Sequence, residues 1–242
     1  MIVYAYTQLD GREVFQRVRF EDPVYENGVL LGYTKTIVYR HQCIRPCGWI
    51  DWRGQRWWAD PDVPEAWHWE KPVGADGYVY RLPEIAEAST LYITEGEKDA
   101  DAMVTAGVVA TTHHQGAEVG PSRLQARRVI AADVGRVVIV ADRDEAGAYC
   151  AWKWHELLRT TPPTGDRLIG EGMSADRITI VRARGPLAKV KDAADHLAAG
   201  YGPEDFVPVE KTEVQRVAIQ HRAGRRGRAR RAYRPGRRWG GR

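Results

Sequence analysis

LYITEGEKDADAM at residues 91–103 and VVIVADRDEAG at residues 137–147 decide how this chain is read. Each is a short apolar run that ends in carboxylates. Leu91, Tyr92 and Ile93 lead into Glu95-Gly96, and Val137 to Ala141 lead into Asp142-Arg143-Asp144. The second run is β-branched and apolar at every position, the pattern of a strand buried on both faces, as in a parallel sheet. After each run the spacing turns helical. Ala100, Met103, Val104 and Gly107 follow the first, and Ala146, Cys150, Trp154, Leu157 and Leu158 follow the second. Glu95, Asp142 and Asp144 therefore fall where a parallel strand gives way to a loop and a helix. In open α/β sheets ligands bind at that edge.

Three carboxylates at one sheet edge repel one another. A hard divalent cation resolves the repulsion, because Mg²⁺ takes a few carboxylate oxygens and keeps waters that a phosphate can displace. Residues i and i+2 of an extended segment point the same way, so Asp142 and Asp144 are expected to face one ion together. The alternative is that these acids serve only helix N-termini, as caps or dipole partners. Either motif alone favours that alternative; the two together, with Lys191-Asp192 to follow, favour the ion.

Glu95-Gly96-x-x-Asp99, then Asp142-x-Asp144-x-x-Gly147, then Lys191-Asp192-Ala193 resemble the Toprim (topoisomerase–primase) domain, in particular that of DNA primases and phage helicase–primases. The resemblance runs from about Leu91 to Gly200. It implies an α/β, Rossmann-like, mainly parallel four-stranded sheet flanked by helices. It also implies a primase-type nucleotidyltransferase that joins ribonucleoside triphosphates on single-stranded DNA, using Mg²⁺ or Mn²⁺. In that reading Glu95 is an acid–base residue or metal ligand, and Asp142 and Asp144 hold the ions. Gly96, Lys98, Asp99, Gly116, Lys191 and Asp192 lie on the substrate and phosphate side, the two lysines as point charges for phosphate oxygens. The family often has Asn and Glu after its lysine-aspartate-alanine piece; this chain has Ala194 and Asp195. Toprim domains also serve nucleases, so phosphodiester cleavage stays open, as does a non-catalytic nucleic-acid-binding remnant. The sequence has no G-x-x-x-x-G-K-[ST] motif, which points to a separate replicative helicase as a partner.

The chain has 242 residues, 43% hydrophobic and 28% charged, with a net charge of +4. The average hides a separation. From Gln215 to Arg242 there are eleven arginines and no acid or lysine; without them 25 basic residues face 32 acidic ones. An acidic body with a basic tail is expected. Residues 207–242, rich in Arg and Gly, are expected to be disordered and to contact nucleic acid phosphates through Arg225, Arg226, Arg228, Arg230 and Arg231. Three cysteines argue for a reducing, cytoplasmic setting. No run approaches a membrane span, and no signal-peptide pattern opens the chain.

Residues 1–88 read as a β-rich module ahead of the Toprim part at 89–206. Ile2 to Phe20 alternate around Asp10-Gly11, and Asn27-Gly28 marks a second turn before Val29 to Tyr39. Six of the nine tryptophans (Trp49, Trp52, Trp57, Trp58, Trp67 and Trp69) cluster next. Beside Arg53 and Arg56 they could stack on bases, but a small β-core is favoured. His41, Cys43 and Cys47 supply three candidate zinc ligands where a structural site wants four, so no zinc is expected. Pro83 suits the first turn of a short helix, 84–88. Further strands are expected at Val108–Thr112, Arg136–Ala141 and Arg177–Val181, and a helix at Ser122–Asp133. Between them His113-His114 follow a strand on the active-site side, where a substrate contact is conceivable.

Overall fold

The structure is a computed structural model. It describes residues 1–42, 48–50, 56–58, 67–86, 88–165 and 169–232. Cys43, Cys47 and Trp52 lie outside the described residues, as do the side chains of Trp49, Trp57 and Trp58.

The alternation at the start of the chain builds three antiparallel strands: β1 (Ile2–Thr7), β2 (Glu13–Glu26) and β3 (Val29–Gln42). Asn27 and Gly28 form a two-residue loop between the paired Glu26 and Val29, with φ of 50° and 77°. Positive φ at both positions gives the tight turn whose twist matches the strands it joins. β4 (Gly48–Ile50) and β5 (Arg56–Trp58) make a separate two-stranded ribbon, and β6 (Trp67–His68) completes the first sheet in the order β1-β2-β3-β6. Pro83 opens a 3₁₀ turn, Leu82–Ile85, rather than a helix at 84–88.

The second half alternates strand and helix: β7 (Thr90–Ile93), α1 (Glu97–Thr105), β8 (Val109–Thr111), α2 (Arg123–Ala131), β9 (Arg136–Ala141), α3 (Glu145–Thr160), β10 (Ile178–Arg182), α4 (Ala193–Ala198), β11 (Val207–Pro208) and α5 (Lys211–Ala232). The sheet order is β11-β10-β9-β7-β8. Its four parallel strands are the four read from the sequence; β11 adds a fifth, antiparallel, on the β10 edge. β9 is central and buried from Val137 to Ala141. Val137, Ile139 and Ala141 face Trp154 and Leu158 of α3 and Val129 of α2. Val138 and Val140 face the other way, toward Ala100 and Met103 of α1 and the aromatic underside of the first sheet, Tyr4, Tyr6 and Phe15. The two sheets thus share one core.

Over residues 207–232 the expected disordered tail is corrected by β11 and α5. Val214, Val217, Ala218 and His221 recur at helical spacing, and Val214, Ala218 and His221 are buried. The ring of His221 lies 5.6 Å from that of Tyr149 on α3. The segment buries too little apolar surface to fold alone, but α3 offers a face to dock on, and Ala and Arg are strong helix formers. Arg225, Arg226, Arg228, Arg230 and Arg231 belong to the backbone of α5, and residues 233–242 lie outside the described residues. Val214→Ala is expected to cost roughly 2 kcal/mol of stability in a denaturant melt; an unchanged midpoint would mean that α5 does not dock. Among the described residues no helix is long and apolar enough to cross a membrane.

Candidate active site

β7 and β9 are neighbours in register, Ile93 beside Ile139. Glu95 comes two residues after the end of β7 and Asp142 directly after the end of β9, so the two carboxyl groups meet and share a hydrogen bond. α1 and α4 bring two more acids. The Asp99 carboxylate accepts the N–H of Ala194 at 3.0 Å, and Asp192 caps α4 by accepting the N–H of Asp195 at 2.7 Å. Glu95, Gly96, Lys98, Asp99, Asp142 and Asp192 then line one cleft of about 270 Å³. Its opposite wall comes from the first sheet and is basic: Arg17, Arg19 and Lys35, with Tyr4 and Ile37.

Burial disfavours charge on these acids, and their proximity adds to the effect. Burial, then the Asp144 charge, raises Glu95 from an ordinary 4.5 to about 7, against the opposing pull of its bond to Asp142. Asp142 is raised further, by burial and then by Glu95, Asp99 and Asp192. Asp99 is raised to about 6 by burial and Asp192. Near neutral pH the Glu95–Asp142 pair therefore holds a proton. Glu95 Oε2 is buried with no hydrogen-bond partner. Among the described residues no group of three or more His, Cys, Asp or Glu side chains is arranged to hold a metal ion.

Asp142 and Asp144, expected to face one ion together, both line a neighbouring cleft, and of the two Asp142 also lines the cleft above. Asp144 caps α3, its Oδ1 accepting the N–H of Gly147 at 2.7 Å. It lines the neighbouring cleft, of about 330 Å³, together with Asp142, Arg143, Arg182 and Glu213. The chain bends at Arg143, between the two acids. That residue is tethered there: its N–H donates to the Lys191 carbonyl at 3.0 Å and its guanidinium to those of Gly185 and Val190 at 2.6 and 3.2 Å. The glycine of the motif has a steric reason as well, since a Cβ at Gly147 would come within 2.6 Å of the Asp142 Cβ. Lys191 is exposed and does not line the carboxylate cleft. Gly116, at φ 73°, does not line it either; its carbonyl accepts from His113 Nε2 at 3.1 Å.

His113 and His114 are fully buried rather than open to a substrate. His114 Nε2 donates to the Ala75 carbonyl at 3.0 Å, and Tyr39 Oη lies 3.0 Å from its Nδ1. The rings of Tyr6, Phe15 and Tyr39 surround it edge-on. It is a joint between the two sheets.

Sequence reasoning missed the basic wall and Glu97. Buried Glu97 accepts the Tyr6 hydroxyl at 2.7 Å and Arg17 Nη1 at 2.5 Å. No local signal marks an ion pair whose members stand 80 positions apart. Removing one partner of a buried pair strands the other charge. Arg17→Met is therefore expected to cost about 3–5 kcal/mol, and adding Glu97→Gln should recover much of that in the same thermal melt. Equal melting of the single variant and the wild type would rule the tie out.

No family model and no curated protein matches the chain. Among solved structures it is similar to the DnaG catalytic core, at 17% identity and a TM-score of 0.44, over 85% of this chain and 53% of that one. It is similar to the primase fragment of the bacteriophage T7 primase–helicase at 15% identity and 0.41, over 82% and 58%. A DnaG primase catalytic domain bound to single-stranded DNA gives 15% and 0.42, over 85% and 58%. The chain spans a little over half the length of these three. Likenesses of this degree carry no argument about activity.

Proposed function

We propose that this chain is a Toprim-type, primase-like nucleotidyltransferase that joins ribonucleotides on a single-stranded DNA template with the help of divalent ions. One observation carries the reading: Glu95, Asp99, Asp142 and Asp192 converge from separate strand ends and helix starts, and Arg17, Arg19 and Lys35 face them across a single cleft. An acidic wall suits cations and a basic wall suits phosphates. Of the residues that resemble the Toprim motifs, Glu95, Gly96, Asp99, Asp142 and Asp192 line the acidic wall.

Oxygen donors suit a hard ion such as Mg²⁺ or Mn²⁺, which would have to draw the separate carboxylates together. All the candidate ligands are carboxylate oxygens, two of them share a proton that a cation would replace, and Glu95 Oε2 has no partner. Glu95 and Asp142 would hold the ion, with Asp99 and Asp192 completing the acidic wall. When bound, such an ion would neutralise triphosphate charge and stabilise the leaving pyrophosphate. The remaining roles belong to the chain itself. Arg19, Lys35 and Lys98 bind and orient the phosphates. Where Glu95 is instead the acid–base residue, its carboxyl, raised to about 7 by burial and the Asp144 charge, would take a proton from the attacking hydroxyl, since a general base works best near the operating pH. Asp144 fixes the start of α3 and, as a nearby charge, helps to raise Glu95. A separate helicase would bring the template.

Incubation with single-stranded DNA, labelled ribonucleotides and Mg²⁺ is the test. RNA should grow. DNA that shortens instead would make the protein a nuclease. Neither product, together with no heat of Mn²⁺ binding by calorimetry, would overturn the reading.

A further inference from the structure

The β2–β3 hairpin is longer than the sheet to which it belongs. β1 runs beside β2 only as far as Arg19, opposite Ile2, and β6 runs beside β3 only at His41 and Gln42. Among the described residues the outer half of the hairpin is therefore a two-stranded ribbon that projects beyond its neighbours. Side chains along a strand alternate between faces, and paired residues of an antiparallel ladder share one. The pairs Arg17–Tyr39, Arg19–Ile37, Glu21–Lys35 and Pro23–Tyr33 fall on one face; past a register shift that leaves Leu31 out of the ladder, Tyr25, two residues on along β2, continues that face. Its inner members, Arg17, Arg19, Lys35 and Ile37, are the basic wall of the active-site cleft. Its outer members include Tyr25 and Tyr33, each 63% exposed.

Two features favour a nucleic acid on this face. The first is continuity, since the tyrosines extend the surface that already lines the cleft. Arg19 to Tyr25 is about 20 Å at strand rise. The second is the segregation of charge. The cleft-side face carries Arg17, Arg19 and Lys35; Arg17 is paired with the buried Glu97 and Arg19 with Glu21, this face's one acid on the ribbon. The ribbon's other acids, Asp22 and Glu26, lie on the opposite face, where Phe20 packs against Trp69. A polyanion lying along the cleft-side face meets cations first and then two exposed aromatic rings. Every base has a face that can stack on such a ring, so the contact tolerates any sequence.

We propose that the cleft-side face of the β2–β3 ribbon is a track for single-stranded nucleic acid, on which Tyr25 and Tyr33 stack bases of the strand that leads to the carboxylate cleft. The track rests on the reading of that cleft as a phosphoryl-transfer site. Its occupant is a single strand, because unpaired bases expose the faces that stack.

Anisotropy of a labelled oligothymidylate, titrated with the full chain in EDTA at several salt concentrations, tests the track without metal or catalysis. Tyr25→Ala with Tyr33→Ala should weaken binding about ten-fold or more, leave the slope against log salt unchanged, and be rescued by Phe at both positions. Arg19→Ala with Lys35→Ala should instead flatten that slope, because these residues act through phosphate charge. A wild type that does not bind the oligonucleotide, or a tyrosine double variant that binds it as tightly as the wild type, overturns the track. If the double variant keeps its DNA affinity but changes oligomeric mass in light scattering, the ribbon tip is a protein-docking surface and the track is again overturned. Because no product is measured, loss of the track leaves the catalytic reading standing, and a catalytically inert protein that binds through its tyrosines leaves the track standing.

Discussion

Glu95→Gln should give a protein that melts higher than the wild type at pH 8 without divalent ions and yet makes no primers. The two effects have one source. Burial and neighbouring charges raise Glu95 from 4.5 to about 7 in the folded protein, so the folded state holds this proton more tightly than the unfolded chain does. A group of that kind favours folding below its unfolded value, and the advantage disappears as pH rises through its folded value. At pH 8 the wild type therefore bears the full cost of an ionised Glu95 beside Asp144, Asp99 and Asp192, roughly 3 kcal/mol at one pK unit per 1.36 kcal/mol. Glutamine keeps the shape and never ionises, so most of that cost should vanish. At pH 5 wild type and variant should melt together.

Divalent ions should reverse the order. A ligand that binds only the folded state stabilises it by mass action, so Mn²⁺ should raise the wild-type midpoint at pH 8 and leave the variant's nearly in place. Loss of a positioned acid–base group costs on the order of 10²-fold or more in rate, and loss of a metal ligand would abolish synthesis likewise. Melting curves at pH 5 and 8, with and without Mn²⁺, run beside primer synthesis, read all of this together. A glutamine variant that melts well below wild type at pH 8 would mark Glu95 as a structural acid and remove it from the site.

The parts legible in the sequence were those set by local pattern. β9 announces itself because a central parallel strand is buried on both faces, which leaves Val137 to Ala141 no polar position. Glu95, Asp99, Asp142 and Asp192 were found because the ends of such strands, and the helix starts beside them, are short and acidic. What was illegible depends on contacts between distant residues. The bend between Asp142 and Asp144 is held because Arg143 donates to the carbonyls of Gly185 and Val190, more than 40 positions on. The basic wall exists because a hairpin near the N-terminus folds over a helix that begins at Glu97. α5 was misread because its composition resembles that of a disordered tail; the four residues from Val214 to His221 that decide otherwise gain meaning only against α3.

On the acid side, the protein should lose roughly 6 kcal/mol between pH 7 and pH 4 from His113 and His114 alone. Full burial is the main cause of the drop in His113 from an ordinary 6.5 to about 3; its Nε2 bonds the Gly116 carbonyl, and its ring stands edge-on to Trp154. Burial, then the Lys71 charge, lowers His114 to about 4, with Asp76 pulling weakly the other way. Both are neutral in the fold and would charge readily in the unfolded chain. A histidine depressed in this way contributes stability above its unfolded value of about 6.5, and that stability drains away as pH falls toward the folded value. By pH 4 each has given up about 3 kcal/mol at 1.36 kcal/mol per unit. The sum is comparable to the whole stability of an ordinary domain, 5–15 kcal/mol. His155, lowered to about 4 by burial and by Lys211 and Arg159, adds in the same direction. The carboxylate cluster opposes the trend, since acidification relieves its repulsion, so stability without metal should peak near pH 6 and fall steeply below pH 5. Denaturant melts from pH 3.5 to 8 would trace this curve. His113→Gln with His114→Gln, neutral at every pH and still able to donate to the carbonyls of Gly116 and Ala75, should sit lower at pH 7 for want of ring packing yet cross above the wild type near pH 4. Parallel curves, with no crossing, would place the acid transition elsewhere in the molecule.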